Sequence, residues 1–188
     1  WTVPEYRRRY PSSFFLAADI PFSLRFMYDM GIESCVRITG ESIEPGNYTT
    51  ELVVKAERFE PCEAFKPRLK ILSFDIENSI KDKHLLVLGV AIMDTDGSIR
   101  TEHIPGPETN IIKGFIELVR REDPDVITGY NIDGYDIPYV LERAKVNGIS
   151  AVPLGRDGGE ANSVAERFWR VHGRIVADAW WNAKRELR

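Results

Sequence analysis

Leu69-Lys70-Ile71-Leu72-Ser73-Phe74-Asp75-Ile76-Glu77 is the stretch on which the fold turns. Apolar residues occupy both alternations of this run, which is the pattern of a strand inside a sheet rather than at its rim. Side chains alternate faces along a strand, so Asp75 and Glu77 point the same way. Two carboxylates aimed together from apolar surroundings repel and lose hydration unless a cation lies between them. Oxygen ligands select Mg²⁺ or Mn²⁺ over Zn²⁺, and Mg²⁺ uses one or two carboxylates together with water and substrate phosphate. An Asp-x-Glu triplet alone carries little, since it turns up on the order of once in a chain of this length. Its place at the end of a buried strand is what gives it weight.

Working toward the C-terminus, Leu86 to Met93 reads as a second strand, Asp96 and Gly97 as a hairpin turn, and Ile99 to Ile104 as a third strand, all antiparallel. Glu108 to Glu122 carries Ile112, Phe115, Ile116 and Val119 at helical spacing, with Asp123 before Pro124 as its end. Asp125 to Tyr130 is a fourth strand. A helix follows, with Asp136 as its expected cap, Pro138 in the first turn, Val140, Leu141 and Ala144 on one side and Gly148 as the stop. Beyond it come a loop at Gly155 to Gly159, a ribbon, a strand from Gly173 to Ala177 and a helix beginning near Ala179. Strands alternating with helices predict an α/β sheet.

Upstream, to about Arg68, the pieces are shorter: an apolar run from Phe14 to Ala18, a helix from Phe22 to Met30 closed by Gly31, and an extended piece from Cys35 to Ile38. A turn around Pro45, Gly46 and Asn47 leads to a strand from Leu52 to Phe59, and Pro61 and Pro67 bracket a linker. Trp1 opens the chain abruptly, as in a fragment of something longer. The 188 residues are 43% hydrophobic and 29% charged, which is globular composition with material for a core. The uncharged run from His84 to Met93 falls far short of the roughly 20 residues of a membrane span. No secretory leader is visible, and two cysteines, Cys35 and Cys62, suit a reducing compartment. The net charge of −4 argues against nucleic-acid binding by bulk positive field. The clusters Arg7, Arg8, Arg9 and Lys184, Arg185, Arg188 read as solvated faces.

A second element with chemistry is Tyr130-Asn131-Ile132-Asp133-Gly134-Tyr135-Asp136, at the passage from the fourth strand to the next helix. Strand ends of α/β sheets are where ligands collect. Asp136 suits a third metal ligand, and Asn131 either holds a sugar or phosphate oxygen or bonds neighbouring backbone. Asp133 and Gly134 read as a turn. Glycine-rich phosphate loops, nucleophile elbows and paired-cysteine zinc patterns are absent. His84, His103 and His172 are scattered, and Trp169, Trp180 and Trp181 are read as core rather than as platforms for bases.

The Phe74-Asp75-Ile76-Glu77 segment resembles the first exonuclease motif of family B DNA polymerases, and Tyr130-Asn131-x-Asp133-x-Tyr135-Asp136 resembles the second. Asp19-Ile20-Pro21-Phe22, the stretch from Arg25 to Ile32, Gly155-Arg156-Asp157-Gly158 and Gly173-Arg174-Ile175-Val176 leading to Asp178 look like the archaeal members. The resemblance spans almost the whole chain. It implies an α/β ribonuclease-H-like exonuclease fold, a mixed sheet flanked by helices, preceded by part of a small α+β N-terminal domain. Residues 1–68 would be that partial domain with its linker, and residues 69–188 the 3′–5′ exonuclease domain, truncated before its third motif. The parent enzyme would be a DNA-directed DNA polymerase of which palm, fingers and thumb are not present.

In that family two metal ions, Mg²⁺ or Mn²⁺, about 3.5 to 4 Å apart serve in-line hydrolysis of the terminal phosphodiester. Carried over, Asp75, Glu77 and Asp136 would be the catalytic metal ligands, Asn131 and Tyr135 substrate contacts, and Asp178 a supporting residue. The implied partners are a single-stranded 3′ end and the template strand, with a sliding clamp bound by a region not present, and the implied location is cytoplasmic, with the nucleoid. The family's third motif, Tyr-x-x-x-Asp, has no counterpart after Asp136, which predicts feeble activity or none for this stretch alone. Val3, Pro4, Pro21 and Phe22 look like parts of the archaeal uracil-sensing pocket, although structural packing suffices to explain them. Two other readings are a stand-alone nuclease of the same fold and a non-catalytic module that reads single-stranded DNA or uracil.

Overall fold

The computed structural model describes Glu5, residues 8–10 and residues 20–186. Val3, Pro4, Arg7, the run from Phe14 to Ala18, Asp19 and Arg188 lie outside the described residues. The chain divides into two compact units, Trp1–Ser42 with Val54–Lys66, and Ile43–Val53 with Pro67–Arg188. No helix among the described residues is long and apolar enough to cross a membrane.

The first unit holds helix α1 (Phe22–Asp29) and a two-stranded ribbon of β1 (Val36–Ile43) and β2 (Val53–Pro61). Gly31 ends the helix as its sequence position predicts. It adopts φ +64°, and the N–H groups of Gly31 and Ile32 turn back to the carbonyls of Tyr28 and Met27. That pair of bonds satisfies the last carbonyls of the helix and needs a residue tolerant of the left-handed region. Phe26 meets Phe59 edge to face at 6.0 Å, joining helix to ribbon. Phe22, read as packing, is instead 87% exposed at the first position of the helix, immediately after Pro21.

The second unit is built on a five-stranded sheet, order β5-β4-β3-β6-β9. β3 (Ile71–Asn78), β4 (Leu85–Met93) and β5 (Ile99–Pro105) are antiparallel, whereas β6 (Val126–Gly129) runs parallel to β3 and to β9 (Ile175–Asp178). Between β5 and β6 lies α2 (Glu108–Glu122), which buries Ile111, Ile112, Phe115, Leu118 and Val119 against the sheet. Each such side chain contributes on the order of 1.5–3 kcal/mol. Asp123 then takes a left-handed conformation at φ 45°, and Pro124 prevents the helix from continuing. After β6 comes α3 (Asp136–Val146), closed by Gly148 with the same pair of returning N–H groups as α1. A short ribbon, β7 (Asn162–Val164) with β8 (Phe168–Arg170), and helix α4 (Ala179–Glu186) complete the order.

β3 occupies the middle of the sheet, but only its even face is sealed. Leu72, Phe74 and Ile76 are buried, whereas Ile71 and Ser73 are half-buried and Asp75 and Glu77 are exposed. The expectation of a strand apolar on both faces therefore holds for residue type at Ile71 and not for burial beyond it. Exposure also lowers the cost of placing two carboxylates side by side, because water solvates both.

Candidate active site

The site forms where β3 outruns β6. Pairing between them covers Ile71 to Ser73 against Val126 to Thr128, and β6 ends at Gly129. Past that point the backbone of β3 has no strand partner on this side, and buried backbone groups need one. Asp136 supplies it: one carboxylate oxygen accepts the Ile76 N–H at 3.2 Å. Asp136 was expected to cap α3, but it is the first helical residue and makes no capping bond; its carboxylate is turned to the strand between Asp75 and Glu77.

Asp136 is 2% exposed. Burial raises its pKa, the Ile76 N–H offsets part of that, and the charges of Asp75 and Asp178 add to the rise, placing it at about 6. Asp75 and Asp136 therefore lie within electrostatic reach of one another. Glu77 shares the face of Asp75, but no group of three or more His, Cys, Asp or Glu side chains placed to hold a metal ion occurs among the described residues.

Asp178, at the end of β9, organises the facing turn. One of its oxygens accepts the N–H groups of Asn131 and Trp180, both at 2.8 Å, and the other accepts the Asp133 N–H at 3.0 Å. The bond to Trp180 caps the start of α4. The bond to Asn131 holds that residue at φ 62°, a conformation asparagine tolerates. Asp133, read as a turn residue, is buried, and its carboxylate accepts the Trp169 N–H at 3.1 Å. Burial, with the charge of Asp178 beside it, raises its pKa. An Asp-Gly pair carries the same letters in a surface turn, so nothing local marks Asp133 as an interior residue.

Gly129 lets the chain turn this closely over β3. A Cβ there would lie 2.4 Å from Ile132 Cγ2 and 2.5 Å from the Phe74 carbonyl oxygen, and the backbone cannot move aside. Gly129→Ala is expected to cost about 1–3 kcal/mol, read as a fall in urea midpoint. An unchanged midpoint would refute this account of the turn.

Tyr135 and Tyr139 stack at 5.3 Å at the edge of the site. The Tyr135 hydroxyl donates to Asn78 Oδ1 and that of Tyr139 to the Lys83 carbonyl, each at 2.6 Å. With Ile80 and Arg143 they line a cleft of about 350 Å³. Trp169 packs against the core as expected, but Trp180 and Trp181 do not. They are half-buried on α4, in contact at 4.6 Å, with Phe168 beside Trp181 and Lys184 Nζ 4.5 Å above the Trp180 ring.

Residues 105–187 match the family described as DNA polymerase family B, exonuclease domain. A DNA polymerase of Archaeoglobus fulgidus is 36% identical over 175 residues, covering 87% of this chain and 21% of the relative. DNA polymerase 2 of Aeropyrum pernix is 30% identical over 178 residues, covering 87% and 22%. The solved family B DNA polymerase of the hyperthermophilic archaeon Pyrobaculum calidifontis superposes with a TM-score of 0.69 at 32% identity, over 87% of this chain and 22% of that one. The chain thus spans about a fifth of the length of these relatives.

Proposed function

Because residues 105–187 belong to the exonuclease-domain family of the family B DNA polymerases, we propose that this chain receives the 3′ end of a single DNA strand for hydrolysis of its terminal phosphodiester, as part of a DNA polymerase. The observation that carries the reading is the buried Asp136 carboxylate bonded to the Ile76 N–H of β3, between Asp75 and Glu77, where the parallel ladder with β6 stops. The mixed sheet flanked by helices is the ribonuclease-H-like arrangement of that family.

The donor set suits Mg²⁺ or Mn²⁺. Burial, more than the charge of Asp75, raises the Asp136 pKa; Asp136 and Asp75 are hard oxygen ligands that repel one another, and a cation between them would offset both costs. Asp75 and Asp136 would hold such an ion, with Glu77 on the same face as Asp75 contributing. Bound there, it would lower the pKa of water and neutralise charge on the departing oxygen. The protein's own residues do the rest. Asp178 fixes the turn that carries Asn131, and the stacked pair Tyr135 and Tyr139 presents an aromatic edge 41% exposed at Tyr135. Such an edge supports a splayed base. Template DNA, a clamp bound elsewhere in the longer protein and a cytoplasmic site of action accompany this reading.

Mn²⁺ titration followed by electron paramagnetic resonance tests it. The chain is expected to bind Mn²⁺, and Asp75→Ala or Asp136→Asn to weaken binding at least ~10-fold, since even an outer-shell partner of a metal site costs that much. Equal affinity in the variants would sink the assignment.

A further inference from the structure

We infer that Cys35 and Cys62 are a built disulfide-forming pair, closed within one chain by exchange with a small-molecule disulfide. Cys35 immediately precedes β1 and Cys62 immediately follows β2. The Cys62 N–H donates to the Cys35 carbonyl at 3.4 Å, so the start of one strand faces the end of the other and the two cysteines oppose one another directly. Directly opposed residues joined by such a bond project from the same face of a ribbon, with Cα atoms about 5.5 Å apart. That separation falls inside the range a disulfide spans, about 4.4–6.8 Å. The Cys35 thiol is turned toward the segment that follows Cys62, where its Sγ lies 3.9 Å from the Phe65 carbonyl oxygen. Both thiols are free and half-buried, within reach of a small reagent.

The ribbon has a use for such a link. Every residue of β1 is exposed, and β2 is exposed at all but Val53 and Glu60. A two-stranded ribbon with so little burial is marginal by itself in water. A bond between residues far apart in the chain restricts the unfolded ensemble and so stabilises the folded one. The exchange balances in two displacements. One cysteine thiolate attacks the reagent and releases its first thiol, leaving a mixed disulfide. The second cysteine thiolate then attacks the protein sulfur of that mixed disulfide and releases the second thiol. The protein is oxidised by two electrons, the reagent is reduced by two, and both cysteine protons leave on the released thiols.

The test treats the full chain, dilute and native, with excess oxidised glutathione. Tryptic mapping is expected to find the Cys35 peptide joined to the Cys62 peptide, with intact mass lowered by two hydrogens and a melting temperature several degrees higher that a dithiol reverses. Cys35→Ser and Cys62→Ser are each expected to retain one glutathione and gain no thermal stability. Two glutathiones retained on the native chain, a covalent dimer, or no reaction where the urea-unfolded chain reacts fully would each overturn the pairing. A lower melting temperature for the linked form would overturn the claim that the fold holds the pair ready.

Discussion

In EDTA at pH 8, Asp136→Asn is expected to melt higher than the parent chain, although it alters the most buried carboxylate of the candidate site. The asparagine side-chain oxygen still accepts the Ile76 N–H, so the bond that ties α3 to β3 survives. What disappears is a charge held in a site 2% exposed, opposite Asp75 and near Asp178. The folded carboxyl titrates at about 6, against 3.8 for an unperturbed aspartate. The sign follows from the raised value. Below about pH 4 both states hold the proton and the site is neutral to stability. Between about pH 4 and 6 the unfolded chain releases its proton first, and folding loses free energy until the folded group also ionises. Above pH 6 the loss is complete, at about 3 kcal/mol. The variant is free of this loss, which corresponds to a rise of about 5–10 °C at pH 8 that shrinks toward zero near pH 4. Mg²⁺ is expected to raise the melting temperature of the parent chain more than that of the variant. A variant that melts lower than the parent at pH 8 would show that the carboxylate is structural.

The letters reveal the sheet and not its interior wiring. The three antiparallel strands, the helix from Glu108 to Glu122 and the two glycine-closed helix ends are all legible, because periodicity and left-handed stops are local properties. Asp75, Glu77, Asn131, Tyr135 and Asp136 are legible as a group only through spacing and resemblance. That Asp136 meets Ile76 rather than capping its own helix depends on where β6 ends, and a capping aspartate has the same sequence signature. The exposure of Asp75 and Glu77 likewise depends on what covers that face of β3, which alternation cannot reveal. Trp180 and Trp181 read as core because aromatic rings in α/β domains usually are, whereas on α4 they pack against one another and stay half-buried. Least legible of all are charged residues whose partners are distant in sequence. Arg156 and Arg174 converge on Asp123 from two loops, and Glu108 draws its partners from β4 and α3.

Glu108 carries the second large effect. Its side chain is 8% exposed at the start of α2, where a carboxylate also suits the helix dipole. One oxygen accepts the Leu85 N–H at 2.8 Å and Arg143 Nε at 2.6 Å; the other accepts from a second Arg143 nitrogen and the Asn147 amide, both at 2.6 Å. One side chain thus fastens the beginnings of β4 and α2 to the end of α3. Burial by itself would raise its pKa, but the Arg143 fork, the Asn147 amide and the Leu85 N–H outweigh burial and hold it at about 2. Glu108→Ala leaves Arg143 unpaired and the Leu85 N–H without an acceptor, so a loss of about 3–5 kcal/mol is expected in chemical denaturation at pH 7. Glu108→Gln keeps an acceptor for Leu85 and is expected to lose less. The pH dependence has the opposite sense to that of Asp136. A carboxyl with a depressed folded pKa stabilises fully above its unfolded value, near 4.5, and that contribution drains away as pH falls toward 2, by about 3 kcal/mol. The stability difference between parent and Glu108→Gln should therefore be constant above pH 5 and narrow steadily below it. A difference independent of pH from 7 down to 3 would mean that the carboxylate charge contributes nothing, and that shape alone holds the three elements together.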